Sequence, residues 1–236
     1  MHHVFVTRLA VDLRKPKSAN LDRLRRGFNT IEERIDGIIN YWQEHASQFY
    51  VNQTIDSPFT VYLVYSPVYE CIVRSHDLPP WAIPTTTTDL DRVTHPHIYD
   101  KFDTKRLSVS RVDADDWYVN DYFEYLERDH EIGYVDKQLT VHLHQFINQY
   151  NRSSNLLSGP VRFSSPGFAS LTFNKFYKAN MPINMRLWPH GSIKKYKHQT
   201  PTELYGIQSV GINVVNKWRH NNICVEPDRE RYYIPI

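Results

Sequence analysis

The sequence predicts an α/β protein with a mostly parallel central sheet and helices on both faces. Three observations carry that prediction. Strand-like and helix-like segments alternate through the first half of the chain, which is the pattern of βαβ units. One strand segment, Phe59–Tyr65, is apolar enough to be central, and another, His3–Leu9, is mostly buried. In a third, Leu107, Val109 and Val112 run straight into Asp113, Asp115 and Asp116, with a helical pattern just beyond.

Each element follows from local chemistry. His3–Leu9 is a buried first strand with Thr7 and Arg8 at its end, and Lys15–Asn20 is a loop. Leu21, Leu24 and Phe28 keep helical spacing, with Arg23, Arg25 and Arg26 on the other faces. Thr30 and Glu33 make a capping box, after which Ile31, Ile35, Ile38, Ile39, Trp42, Ala46 and Phe49 follow a 3.6-residue period. Pro58 separates that helix from the strand Phe59–Tyr65. Tyr69–His76 reads as a short helix stopped by Leu78–Pro84, and the polar stretch 85–103, long for a structureless connection, reads as a functional loop or as an element whose pattern is hidden. Within it His95 and His97 flank Pro96, where solvated loop histidines are a commoner outcome than a metal pair.

Beyond the acidic turn, Val119, Tyr122, Phe123 and Leu126 mark a helix of roughly three turns. Ile132–Val135 and Leu139–Leu143 read as strands, with His142 and His144 on one strand face. Asn148–Ser158 reads as a polar loop and Gly159–Gly167 as turn-rich; Phe168–Phe176 fits a strand or a short helix. Arg186–Gly191 and Lys194–His198 form a basic and aromatic cluster. Leu204–Val210 is a late strand, and the tail from Lys217 is expected to wrap the surface.

Composition narrows the classes. The chain has 236 residues, enough for a substantial core in one large domain or two small ones. Its net charge of +2 forces neither a nucleic-acid nor a membrane partner. Residues 1–26 hold seven basic side chains against two acids, so they carry 7 − 2 = +5 and the remainder carries −3. Cys71 and Cys224 are far apart and lack metal-type spacing, which fits a reducing compartment. No long apolar run or signal-type segment is present, so a soluble, cytoplasmic protein without a transmembrane segment is expected. Sixteen Tyr, eleven Phe and five Trp supply aromatic faces that fill cores or stack on sugar rings.

The acids at 113–116 are the strongest sign of chemistry. Three carboxylates within four residues repel, and a fold keeps them together where a cation or hydrogen-bond donors offset the repulsion. Their oxygens are hard ligands suited to Mg²⁺ or Mn²⁺. A solvated turn capping the next helix is the plainer reading. Their place at a strand end, with Arg111 just before, favours a site, since open α/β sheets bind ligands beyond the carboxyl ends of their strands. Neither G-x-G-x-x-G nor G-x-x-x-x-G-K-[ST] occurs, so a phosphate would be held by metal and Arg.

Asp113-Ala114-Asp115-Asp116, closing an α/β half, resembles the DXD turn of GT-A-fold glycosyltransferases. More narrowly, Val6-Thr7-Arg8 and Ser110-Arg111-Val112-Asp113-Ala114-Asp115-Asp116 are similar to a family of rhamnosyltransferases, and Gln208–Asn216 is similar in outline to that family's end. The resemblance implies one GT-A-like (Rossmann-like) domain over 1–236. Residues 1–117 would form the nucleotide-sugar-binding half, and 118–236 the mixed α/β acceptor-binding half with its tail. It implies a Mn²⁺- or Mg²⁺-dependent, inverting transfer from a UDP-, GDP- or dTDP-linked sugar to a glycan hydroxyl, rhamnosyl or another hexosyl, with no nucleic-acid partner. Thr7, Arg8 and Arg111 would contact the nucleotide or its phosphates, and Asp113 its ribose or sugar. Asp115 would bind the ion, with Asp113 and His190 as further ligands. The family's late histidine has no clear counterpart near Gly211, so His190 or His198 stands in for it. Glu203 would be the base that takes the acceptor proton, with Asp136 next. Two other classes compete. One is a metal-dependent phosphotransferase or phosphohydrolase; the other is a non-catalytic module binding anionic polymer through the basic N-terminal segment.

Overall fold

A computed structural model describes residues 1–10, 30–88, 102–133, 139–144, 146–151, 156–162, 169–174, 199–202 and 206–210. The expected helix at 21–28, the histidines at 95 and 97, and Asp136, His190, His198 and Glu203 lie outside the described residues.

The chain is α/β and Rossmann-like. Its strands are β1 (His2–Ala10), β2 (Phe59–Tyr65), β3 (Ala82–Thr86), β4 (Arg106–Asp113), β5 (Asp116–Tyr118), β6 (Leu139–His144), β7 (Phe146–Asn151), β8 (Leu156–Arg162), β9 (Ala169–Asn174), β10 (Gln199–Thr202) and β11 (Gly206–Val210). Its helices are α1 (Ile31–Tyr41), α2 (Gln48–Val51), α3 (Glu70–Ser75) and α4 (Tyr122–Gly133). The main sheet has the order β10-β6-β9-β4-β1-β2-β3, and a smaller one the order β5-β11-β7-β8. β4, β1, β2 and β3 are mutually parallel, whereas β9 runs antiparallel between β4 and β6.

Strand alternation divides the parallel core into two faces. Phe5, Leu9, Val61, Leu63, Tyr65 and Val112 lie on one face, in a cluster to which each of the described α-helices contributes side chains. Val4, Val6, Tyr62, Val64, Leu107 and Val109 are buried on the other. α1 starts where the capping box puts it: Thr30 Oγ1 accepts from the Glu33 N–H at 3.0 Å, and Glu32 and Glu33 sit at the positive end of the helix. The long helix expected over 31–49 is interrupted by a π-helical segment, Trp42–Ala46, closed by Ser47 N–H donating to Trp42 O at 2.7 Å. The wider turn shifts the helical phase, and Trp42, Ala46, Phe49 and Tyr50 are all buried.

Several expectations need correcting. Ile132 and Gly133, read as the start of a strand, belong to α4; residues 134 and 135 lie outside the described residues. The stop at Leu78–Pro84 and the start of the polar stretch contain β3; Pro84 is tolerated because β3 is the edge of the described sheet. The expected loop Asn148–Ser158 contains much of β7 and the start of β8, and Gly159–Arg162, read as turn-rich, belongs to β8. Ile147 pairs with Val161 and Gln149 with Ser158, so Gly159 and Pro160 together oppose Asn148. This bulge accommodates a proline without a ladder N–H.

At the amino end of β1, fully buried His3 bridges the sheet and α4. Its Nδ1 is 2.7 Å from Ser108 Oγ and its Nε2 is 3.1 Å from Glu127 Oε1, and Ser57 Oγ donates to Glu127 Oε1 at 2.6 Å. Burial pushes the His3 pKa down, against the opposing pull of Glu127, so the ring is neutral. Burial alone would raise Glu127, but the hydrogen bonds from His3 and Ser57 prevail and hold it at about 2. Both groups bind more protons when unfolded. Stability is therefore expected to fall with pH in two stages, first below the ordinary histidine value of 6.5 and again below the ordinary Glu value of 4.5. Urea midpoints at pH 8, 6 and 4 read this directly. His3→Gln should flatten the first stage, and an unchanged slope there would assign the loss to other groups.

Candidate functional site at the carboxyl ends of the parallel strands

Register decides which side chains reach the candidate site. Arg8 on β1 pairs with Asp113 on β4, so the two side chains emerge side by side on the same face. Arg8 Nε donates to Asp113 Oδ1 at 2.9 Å and Nη2 to Oδ2 at 3.2 Å, a two-pronged contact that occupies both carboxylate oxygens. The backbone locks the same pair of strands, with Ala114 N–H donating to Arg8 O at 3.1 Å. Arg111, two residues earlier on the same face, brings Nη2 to 3.8 Å from Asp113 Oδ1. Arg8 and Asp113 are about 30% exposed, whereas the Arg111 side chain is 6% exposed. Burial pushes the Arg111 pKa down and the charge of Arg8 adds to that; Asp113 opposes both.

The three acids part company beyond β4. Asp113 ends the strand, Asp115 is partly exposed on the turn, and Asp116 is buried as the first residue of β5, where it pairs with Gln208 of β11. Asp116 thus belongs to the smaller sheet and not to an acidic cluster.

Thr7 also departs from expectation. Its side chain points to the opposite face from Arg8, as alternation requires, and its Oγ1 lies 2.9 Å from the Tyr50 hydroxyl in the helix-covered core. A hydroxyl committed there does not reach a nucleotide beside Arg8.

The backbone of this edge is held by groups that the sequence did not single out. Tyr118 donates its hydroxyl to Arg111 O at 2.8 Å and stacks on Tyr122 at 3.9 Å. Ser110 donates to Ser170 across the β4–β9 ladder at 2.9 Å, and the Tyr122 hydroxyl bonds both serines. Burial pushes the phenols of Tyr50, Tyr118 and Tyr122 upward, so they remain neutral. The only trace of this network in the sequence is serine at alternate, otherwise apolar strand positions.

The donor set bears on a metal. A divalent ion of the Mg²⁺ type takes one or two carboxylates plus phosphate oxygens of its ligand. Asp115 fits that role. Asp113, with both oxygens on Arg8, is here a guanidinium partner. Among the described residues no group of three His, Cys, Asp or Glu forms a ready-made shell.

A second constellation has the composition of a nucleophilic triad: Ser108, His3 and Glu127 stand in hydrogen-bonded line. Burial decides against it. Ser108 and His3 are 0% exposed, so no carbonyl can approach the hydroxyl, and the His3 ring is stacked on Phe123 at 4.1 Å. It is a satisfied core histidine.

No described helix is long and apolar enough to cross a membrane. No family model matches the chain, and no curated protein matches it. Among solved structures it is similar to HddC from Yersinia pseudotuberculosis complexed with GMP-PN. That likeness has 6% identity and a TM-score of 0.38, over 90% of this chain and 91% of that one. It is also similar to CMP:2-keto-3-deoxy-manno-octonic acid synthetase complexed with CTP, at 11% identity and a TM-score of 0.34, over 92% and 96%. At these values the likeness is too distant to speak for a site or a substrate.

Proposed function

We propose that the chain is a metal-dependent glycosyltransferase that moves a sugar from a nucleoside-diphosphate sugar to a glycan hydroxyl. The observation that carries the reading is the meeting of Arg8, Arg111 and Asp113 at the carboxyl ends of two adjacent parallel strands, with Asp115 on the turn just beyond. That edge is where open α/β sheets take their ligands, and here it offers guanidinium groups where a glycine loop is missing. The resemblance of Val6–Arg8 and Ser110–Asp116 to the rhamnosyltransferase family supports the same reading.

In this mechanism Arg8 and Arg111 bind and orient the donor's phosphates, with the forked geometry suited to them. Asp115 would hold Mn²⁺ or Mg²⁺, which when bound would supply a positive charge to offset that of the departing nucleoside diphosphate. Asp113 serves the ribose or the ion. A carboxylate must accept the acceptor's proton in an inverting transfer, and Glu203 or Asp136 supplies it.

A donor panel of UDP-, GDP- and dTDP-linked sugars with Mn²⁺ tests the proposal by release of nucleoside diphosphate. Release from one member of the panel, accelerated by a glycan acceptor and stopped by chelation, is the expected result. A phosphohydrolase would instead release phosphate from simple esters without an acceptor. A polymer-binding module would show steeply salt-dependent binding indifferent to Mn²⁺.

A further inference from the structure

We infer that Asp113 is the resting counter-ion of the phosphate site, an internal occupant of the Arg8 fork that a diphosphate must displace. The inference rests on the nucleotide-binding reading of this edge and adds how the site is regulated. Arg8 presents its Nε and Nη2 edge to the two oxygens of Asp113 at 2.9 and 3.2 Å. Two phosphate oxygens fit that same edge, so carboxylate and phosphate compete for one guanidinium. The pair is partly exposed, which leaves the fork within reach of a ligand from solvent. Buried Arg111 lies against Asp113 from the strand side.

Displacement has a consequence for the cation. Once Arg8 turns to phosphate, Asp113 loses its close partner two residues from Asp115, and a cation near Asp115 gains a second carboxylate. A cation that draws Asp113 away in turn frees Arg8 for phosphate. The two ligands therefore help each other through Arg8 and Asp113, and the help is reciprocal.

The test is a double-mutant cycle on the full chain, read as equilibrium binding. With inorganic pyrophosphate in excess chelator, Asp113→Asn should tighten binding by roughly tenfold, the scale of one charge-assisted hydrogen bond. In an Arg8→Gln background the same substitution should change it by less than about twofold. With Mn²⁺ alone, Arg8→Gln should tighten binding by roughly tenfold, and Arg8→Gln/Asp113→Asn should lose that gain. Melting curves confirm that each variant is folded, and Asp113→Ser replaces Asp113→Asn if the amide does not fold. An equal gain in both backgrounds would make the effect a general change of field and overturn the inference, as would no gain at all. If the wild type binds pyrophosphate with Mn²⁺ while the cycle shows no coupling, the exchange is wrong and the transferase reading stands. If no variant binds pyrophosphate under any condition, both fall together.

Discussion

In Asp115→Asn, the stabilisation that a nucleoside diphosphate gives together with Mn²⁺ is expected to disappear, while the ligand-free protein melts where it did before. The chain has no glycine phosphate loop, and its described edge supplies two guanidiniums already facing Asp113. A diphosphate brought there alone meets carboxylates as well as cations, so its binding should depend on the ion that Asp115 is proposed to hold. A ligand at about a hundred times its dissociation constant stabilises the native state by about 2.7 kcal/mol. In a chain of this size that is roughly 5–10 °C in melting temperature. Either component alone should give much less. Asp115 is partly exposed on the turn, and Asn keeps its size, so the ligand-free protein is expected to stay folded. A shift of the same size with the metal chelated, or an undiminished shift in Asp115→Asn, would reduce the turn to a structural corner. The glycosyltransferase reading would then rest on fold analogy and the sequence resemblance.

The parallel core was legible because its signals are local and strong. Thr30 with Glu33 announced the start of α1, the runs around Phe5 and Val61 are strongly apolar, and Leu107, Val109 and Val112 alternate as a strand does. The convergence of Arg8 with Asp113 also followed, since parallel strands ending in charged residues leave them at one edge. Less accessible was anything that depends on partners distant in sequence. β7 and β8 form through pairing with β11 and with each other around a bulge, and no periodicity in Asn148–Arg162 foretells it. Thr7 illustrates the fine scale: one residue from Arg8, it faces the other way, and a motif read as a string merged two opposite faces. The acids at 113–116 were likewise read as one cluster, but the start of β5 at Asp116 turns one of them into the smaller sheet. The two-pronged Arg8–Asp113 contact needed coordinates, because register gives adjacency and not which oxygen meets which nitrogen.

That opposition of faces makes the largest stability effect predictable at Phe5, three residues from the candidate site. Phe5 is fully buried at the centre of β1, its backbone paired with Val61 and Ser110 on the two flanking strands. Its ring meets Phe49 edge-on at 5.5 Å, Tyr50 at 4.9 Å and Phe123 at 5.8 Å, joining the α1–α2 region to α4 through the sheet. Phe5→Ala removes that junction and leaves a cavity among rigid rings that cannot collapse to fill it. The cost should be about 3–5 kcal/mol, a large share of a stability of about 5–15 kcal/mol, and a fall in melting temperature on the order of 10 °C. Arg8→Gln on the other face should behave in the opposite way. It breaks a partly exposed, two-pronged ion pair worth about 1–1.5 kcal/mol, so the melting temperature should fall by only a few degrees, while the binding of a diphosphate with Mn²⁺ weakens. Phe5→Ala, measured below its melting transition, should keep that binding, since Phe5 lies on the opposite sheet face from Arg8, Arg111 and Asp113. Loss of stability in Arg8→Gln as large as in Phe5→Ala would show that the ion pair holds the strands together and is not held ready for a ligand.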